Sequence, residues 1–211
     1  MKTIDLSHEI KNGMMVFPGD PEISIEEGLS HEEDYCHVDR MHINSHTGTH
    51  IDAPYHFIKD GKRITDYEVG KFVGEGIAID LTYKKSGEGI NVSDLEKANI
   101  EEGMIVTLVT GWAKYFGQEK YLDHPFITKE AAEFLVKKGT SIVAVDFLNV
   151  YPTVYESWEA HPVLLSNDVL IVENIANSSE LAEGKKYIFS FLPLKLWGSD
   201  GSPVRGMAVE K

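Results

Sequence analysis

Cysteine is almost absent from this chain. Cys36 stands alone among 211 residues, which rules out an intrachain disulfide and leads us to expect a reducing, cytoplasmic setting. A lone cysteine reads as an inert small residue rather than a nucleophile. Basic residues are also scarce, since 20 Lys and Arg face 34 Asp and Glu for a net charge of −14. Such a surface repels phosphate backbones, and with no basic cluster it makes nucleic acid an unfit partner. No apolar run is long enough to span a bilayer, so no membrane partner is expected. The opening residues, Met1 through Glu9, reach Asp5, His8 and Glu9 before an apolar leader could develop. Repeats, linkers and low-complexity tracts are missing too. The expectation is one domain over residues 1–211, large enough to bury a substantial core.

What is present alternates between strand and helix signals. Thr3 to Leu6 reads as a short strand. Ile77 to Ile79, Ile105 to Val109 and Ile142 to Val145 are short apolar runs rich in β-branched residues, which suit strands buried on both faces. Ser93 followed by Glu96 has the spacing of a capping box leading into a helix over Leu95 to Ile100. Thr128 caps a second helix through Lys138, with Glu130 in its first turn and Gly139 as its stop. The alternation implies an α/β domain. Phe17-Pro18-Gly19-Asp20 is a turn signal.

The most informative stretch is His46-Thr47-Gly48-Thr49-His50-Ile51-Asp52-Ala53-Pro54-Tyr55-His56. Five of the chain's nine histidines lie between His37 and His56, although His37 and His42 fall outside the alternating run. A single histidine is usually satisfied by ordinary hydrogen bonds; three with an aspartate at this density argue for a metal site. A helix would put His46 and His50 on one face but swing Asp52 about 240° away. A strand would hold the two histidines roughly 13 Å apart, too far for bonds of about 2 Å to a common ion. A bent segment remains. Gly48 tolerates the backbone angles of a sharp bend, and Pro54 stops a helix from running through. Further along, Val169, Ile171, Glu173 and Ile175 share one face of an expected strand, Asp168 to Ile175, so a carboxylate interrupts an apolar row. A buried charge needs a partner, whether a basic residue or a metal. His161, ahead of Pro162, could by itself be a helix-cap or surface residue.

The central run resembles the pattern His-x-Gly-Thr-His-x-Asp-x-Pro-x-His of the metal-dependent cyclase hydrolases, a family that includes bacterial-type kynurenine formamidases (arylformamidases) and isatin hydrolases. Phe17-Pro18-Gly19-Asp20 is similar to the family's aromatic-Pro-Gly-Asp turn. Leu192-Pro193-Leu194-Lys195 and Asp200-Gly201-Ser202-Pro203-Val204-Arg205 are similar to its closing segment.

The resemblance implies a swivelling β/β/α fold, a mixed sheet with packed helices. It implies that His46, His50 and Asp52 hold one divalent ion and that Asp52, His161 and Glu173 hold a second, with Asp52 and Glu173 bridging. Two such ions, zinc by donor set with manganese as the alternative, lower the pKa of a shared water and polarise a carbonyl under attack. His56 then serves as proton shuttle, a task suited to an imidazole of ordinary pKa about 6.5. Phe17 becomes an aromatic wall for an aryl substrate. The family is commonly oligomeric, which implies a homodimer or higher homo-oligomer. The expected reaction is hydrolysis of a small-molecule amide, N-formyl-L-kynurenine to L-kynurenine and formate, by attack of metal-bound hydroxide. A cyclic amide or another acyl compound is the alternative within enzymes, and a metal-containing binding protein is the alternative outside them. One departure bears on the substrate: the family's formamidases read Asp-Thr-Pro-Ser-Val-Asp-Pro or similar where this chain has Asp146-Phe147-Leu148-Asn149-Val150-Tyr151-Pro152, next to the expected pocket.

Overall fold

The computed structural model describes residues 1–153 and 158–211. Nine strands form one curled mixed sheet in the order Thr3–Asp5, Met207–Glu210, Lys186–Ser190, Val73–Asp80, Ile105–Val109, Ile142–Val145, Leu170–Glu173, His50–Asp52 and Gly201–Pro203. The four strands from Val73–Asp80 to Leu170–Glu173 run parallel, and the flanking strands are antiparallel. The three apolar runs read as doubly buried strands lie in three successive strands of this four-stranded parallel block, as expected of an α/β domain.

Side-chain alternation divides the core into two layers. Val143, Val145 and Ile171 meet Leu135 of the helix Lys129–Lys137 and Leu164 of the helix Ala160–Ser166. Ile142, Ala144, Leu170 and Val172 face the opposite way, against Ile51, Phe189 and Phe191. The sheet curls enough to bring its margins together. The Leu6 N–H donates to the Gly206 carbonyl, and the Leu6 carbonyl accepts from Ala176, just past the strand Leu170–Glu173.

Local signals hold in most places. Thr128 Oγ1 accepts from the Ala131 N–H, and Gly139 follows the helix at φ +72°. The expected strand Asp168 to Ile175 is trimmed to Leu170–Glu173 because Asp168 (φ +63°) and Asn174 (φ +58°) take left-handed conformations at its two ends. Ile175 consequently turns to the opposite apolar layer from Ile171. The helix expected over Leu95 to Ile100 is instead a single turn, Val92–Leu95. Asn91 starts it earlier than Ser93 would, its N–H donating to Asp94 Oδ2 at 2.6 Å. Lys84 pins the same Asp94 at 2.7 Å. Among the described residues, no helix is long and apolar enough to cross a membrane.

His124 is a buried histidine outside the motif. Its Nδ1 donates to the Pro125 carbonyl at 2.7 Å, its Nε2 lies 2.8 Å from Thr153 Oγ1, and its ring stacks on Phe147. Burial pushes its pKa down to about 4. Between pH 6.5 and 4 the unfolded chain therefore binds a proton that native His124 refuses. Its contribution to stability is complete above pH 6.5 and is lost as pH falls toward 4. Urea unfolding of metal-free protein at pH 7.5 and pH 5 is expected to show wild type losing about 1–2 kcal/mol more than His124→Gln over that interval. Parallel losses would show that His124 titrates normally in the fold.

Candidate metal centre and pocket

The site is assembled from sheet register, one tight bend and one helix end. The strands His50–Asp52 and Leu170–Glu173 pair antiparallel with His50 opposite Glu173 and Asp52 opposite Ile171. His50, Asp52 and Glu173 thus share a face, while Ile51 and Val172 enter the apolar layer behind. Before the strand, the chain bends at Gly48 (φ +60°), where a Cβ would also lie 3.2 Å from Met14 Cε. Asn44 shapes the preceding turn, its Oδ1 accepting from the His46 N–H at 2.9 Å. The bend brings the His46 and His50 ring centroids to 5.0 Å, a closeness that a continuous strand forbids. Pro54 opens a short 3-10 turn, Pro54–His56, rather than merely ending a helix. His161 comes from the first turn of the helix Ala160–Ser166, where Pro162 costs no hydrogen bond because first-turn N–H groups are unpaired anyway.

His50 Nε2 lies 3.4 Å from both Asp52 Oδ1 and Glu173 Oε2. His161 Nε2 lies 3.4 Å from Asp52 Oδ2 and 3.2 Å from Glu173 Oε1. His46 Nδ1 is 2.8 Å from Asp52 Oδ1. Yet both oxygens of fully buried Asp52 and both ring nitrogens of His161 lack an aligned hydrogen bond among the described residues. Donor atoms that crowd together without bonding one another fit convergence on an ion. Tetrahedral bonds of about 2.1 Å would set neighbouring ligand atoms about 3.4 Å apart. The His50 Nδ1–H is tied to the Gly48 carbonyl at 2.9 Å, which presents the lone pair of Nε2 to the centre. His50, Asp52 and Glu173 form one group able to hold an ion; His46, Asp52 and His56 form another by distance. The residue set fits a divalent metal.

Charge in the metal-free cluster is carried by protons. Burial opposes the charged form of His46, but Asp52 and Asp200 outweigh it and raise its pKa to about 11. His161 is likewise raised to about 9, burial being overcome by Glu173 and Asp52. Burial alone would lift the Asp52 carboxyl, but the charges of His46 and His50 hold it well below its usual range. An arriving cation takes over this role and displaces protons.

Two functional positions carry no signal strong enough to single them out in the sequence. Asp200 Oδ2 accepts from His46 Nε2 at 2.9 Å and from His56 Nδ1 at 3.1 Å, while its Oδ1 accepts from Ser45 Oγ at 2.8 Å. Gly201, next in the chain, lies under His46: a Cβ there would be 3.0 Å from His46 Cε1 and 2.9 Å from the Ile51 carbonyl oxygen. Their only trace in the sequence is the closing segment Asp200 to Arg205.

A cavity of about 250 Å³ opens over the cluster, small enough to favour a one-ring ligand. Its walls include Phe17, Phe57, Tyr151 and Trp158, with Leu148 and Asn149 from the departing segment. Phe17 meets Tyr151 edge-on at 6.2 Å, and Phe57 stacks on His161 at 4.5 Å. Phe147 departs from expectation. It is fully buried in the core against His124, so that substitution packs the interior and does not touch the pocket. Asp146 also points away, accepting from Thr110, Gly111 and Ser178. Burial and the charges of Glu173, Asp52 and Asp20 keep the Tyr151 hydroxyl protonated well above its usual range.

Known proteins resemble this chain in sequence and in fold. The Cyclase family model, described as putative cyclase, matches residues 4–151. The kynurenine formamidase of Bacillus cytotoxicus is 33% identical over 206 residues, covering 97% of this chain and 95% of that protein. A solved structure described as a potential metal-dependent hydrolase with cyclase activity superposes with a TM-score of 0.85 at 28% identity, covering 100% of this chain and 98% of the other. Isatin hydrolase A from Labrenzia aggregata, at 23% identity, has the same fold with a TM-score of 0.91, over 100% of this chain and 94% of its own. The chain belongs to the Cyclase family. It is an enzyme, a hydrolase of carbon–nitrogen bonds other than peptide bonds, and its buried cluster contains groups that could hold a divalent metal.

Metal analysis after gel filtration is expected to find divalent metal in wild type and none in Asp52→Ala. Gly201→Ala, which pushes on His46 without removing a ligand, is expected to weaken metal affinity by about tenfold. Full metal retention by Asp52→Ala would place the ion elsewhere.

Proposed function

We propose that the protein hydrolyses N-formyl-L-kynurenine to L-kynurenine and formate at a centre of two divalent ions, zinc by donor set with manganese as alternative. His46, His50 and Asp52 hold one ion, and Asp52, His161 and Glu173 hold the other. The observation that carries the reading is His56, an imidazole at the rim of the cluster anchored by a carboxylate. His46, Asp52 and His56 are within reach of a common ion, so the reading rests on His56 serving as an acid–base group rather than as a ligand.

Bound divalent ions supply Lewis-acid polarisation of the amide carbonyl and a lowered pKa for water. The chain supplies the rest. Asp200 Oδ2, able only to accept, fixes the proton of His56 on Nδ1 and leaves Nε2 free. That nitrogen takes a proton from the attacking water and returns it to the aryl nitrogen as the C–N bond breaks. Formate leaves with the water oxygen, and the amine keeps the proton. Phe17 and Tyr151 flank the aryl ring, and Phe57 excludes water beside His161. The solved isatin hydrolase fold and the replaced wall residues Leu148, Asn149 and Tyr151 favour one second reading, a cyclic amide as substrate.

We place the enzyme in the cytoplasm as a homodimer or higher homo-oligomer. The hairpin formed by Ser24–Leu29 and Val38–His42 supports association, since it leaves Tyr35, Val38 and Met41 exposed. Such a patch on an arm outside the main sheet suits a second copy of the chain.

Metal-loaded protein is expected to release kynurenine from N-formyl-L-kynurenine, and chelator-stripped protein is not. His56→Ala should keep its metal and lose roughly 100-fold or more in turnover. Loss of metal by that variant would make His56 a ligand instead. Metal-replete protein inactive on the formamide but active on a cyclic amide would move the assignment to the second reading.

A further inference from the structure

The outer wall of the pocket is unbalanced in charge. Asp20 lines the cavity with Phe17, Tyr151 and Trp158. Its place is set by a tight turn: Pro18 precedes Gly19 at φ +102°, and the Asp20 N–H donates to the Phe17 carbonyl at 3.0 Å. That combination is a type II turn, which brings the aromatic ring and the carboxylate to the pocket as one unit. Facing them, Tyr151 and Trp158 lie 4.7 Å apart by ring centroid.

Asp20 has no ion pair with a Lys or Arg among the described residues. Among the described residues, no Lys or Arg lines the cavity, and residues 154–157 contain neither. Lys129 lines a neighbouring cleft that shares Tyr151, where it pairs with Glu159 at 3.3 Å. The lining histidines His46, His56 and His161 pair with Asp52, Glu173 and Asp200. A half-buried carboxylate among aromatic faces is suited to an ammonium group, through a charge-assisted hydrogen bond and ring quadrupoles together. A carboxylate on the same arm of a ligand would be repelled by Asp20 and would meet no Lys or Arg among the described residues lining the cavity.

We propose that Asp20 with Phe17, Tyr151 and Trp158 forms a cation subsite, selecting aryl amides that carry an ammonium group on the arm remote from the scissile bond. The word amide rests on the hydrolase reading above; the preference for a cation does not. The α-ammonium of formylkynurenine satisfies the subsite, whereas its α-carboxylate finds no partner there. The preferred class is therefore cationic aryl amides, ahead of neutral ones and well ahead of anionic ones.

Binding tests this without turnover. Calorimetry on metal-loaded protein compares three amine products: 3-amino-1-(2-aminophenyl)propan-1-one, a cation; 1-(2-aminophenyl)propan-1-one, neutral; and 4-(2-aminophenyl)-4-oxobutanoate, an anion. The cation is expected to bind about tenfold tighter than the neutral compound, and the anion more weakly than either. Asp20→Asn should erase most of the cation's advantage, and Asp20→Glu should keep much of it. Equal affinity for cation and neutral compound in wild type overturns the proposal, as does an advantage that survives unchanged in Asp20→Asn. The corresponding N-formyl derivatives then separate the two readings. A cation preference in binding without hydrolysis of any of them sinks the formamidase reading and leaves the subsite standing.

Discussion

Two buried carboxylates on adjacent strands, Asp52 and Glu173, are the constraint around which the rest is arranged. Each is expensive to bury, and each raises the cost of the other by like charge. The fold meets this demand with imidazoles from three directions: His50 from the same strand, His46 from the bend before it, and His161 from the helix end above. In the metal-free chain His46 and His161 answer the carboxylates as protonated imidazoles. A divalent ion held here would answer them with more charge in less space, and would use donor atoms that hydrogen bonds leave idle. Metal binding and the pairing of these strands are thus one problem in electrostatics.

The curled sheet solves this problem by geometry rather than by sequence proximity. Pairing His50 opposite Glu173 fixes which face both occupy, since a one-residue slip would send them into the apolar layer and expose Ile51 and Val172 to the cluster. The strand Gly201–Pro203 on the other side of His50–Asp52 closes the arrangement. It delivers Asp200 to the outer nitrogens of His46 and His56, and Gly201 leaves the room that the His46 ring occupies. The bland-looking end of the chain therefore orients two of the three histidines of the central motif.

Away from the His and carboxylate cluster, the pocket is assembled from segments with no regular structure. The type II turn of Phe17 to Asp20, the Leu148 to Tyr151 segment and Trp158 contribute its walls. Their chemistry is apolar and acidic, while the floor is rich in imidazole. This division lets one end of a ligand be chosen by ring and charge while the other is presented to the reacting groups.

The sequence by itself determined the local features. The spacing of His46, His50 and Asp52 excluded helix and continuous strand, Gly48 marked the bend, Thr128 and Gly139 bounded a helix, and three β-branched runs announced strands buried on both faces. Each of these depends on neighbours within a few residues, where backbone sterics and side-chain period act directly. Tertiary structure decided what no short window encodes. It placed Glu173 opposite His50, brought Asp200 to His56, turned Phe147 inward against His124 and left Asn149 and Tyr151 at the pocket. It also cut the strand at Asp168 and Asn174, and began the turn at Asn91 rather than Ser93. The reason is physical: register, and the choice of strand neighbours, are set by the summed burial of both faces of the sheet, a quantity that belongs to the whole chain and to no segment of it.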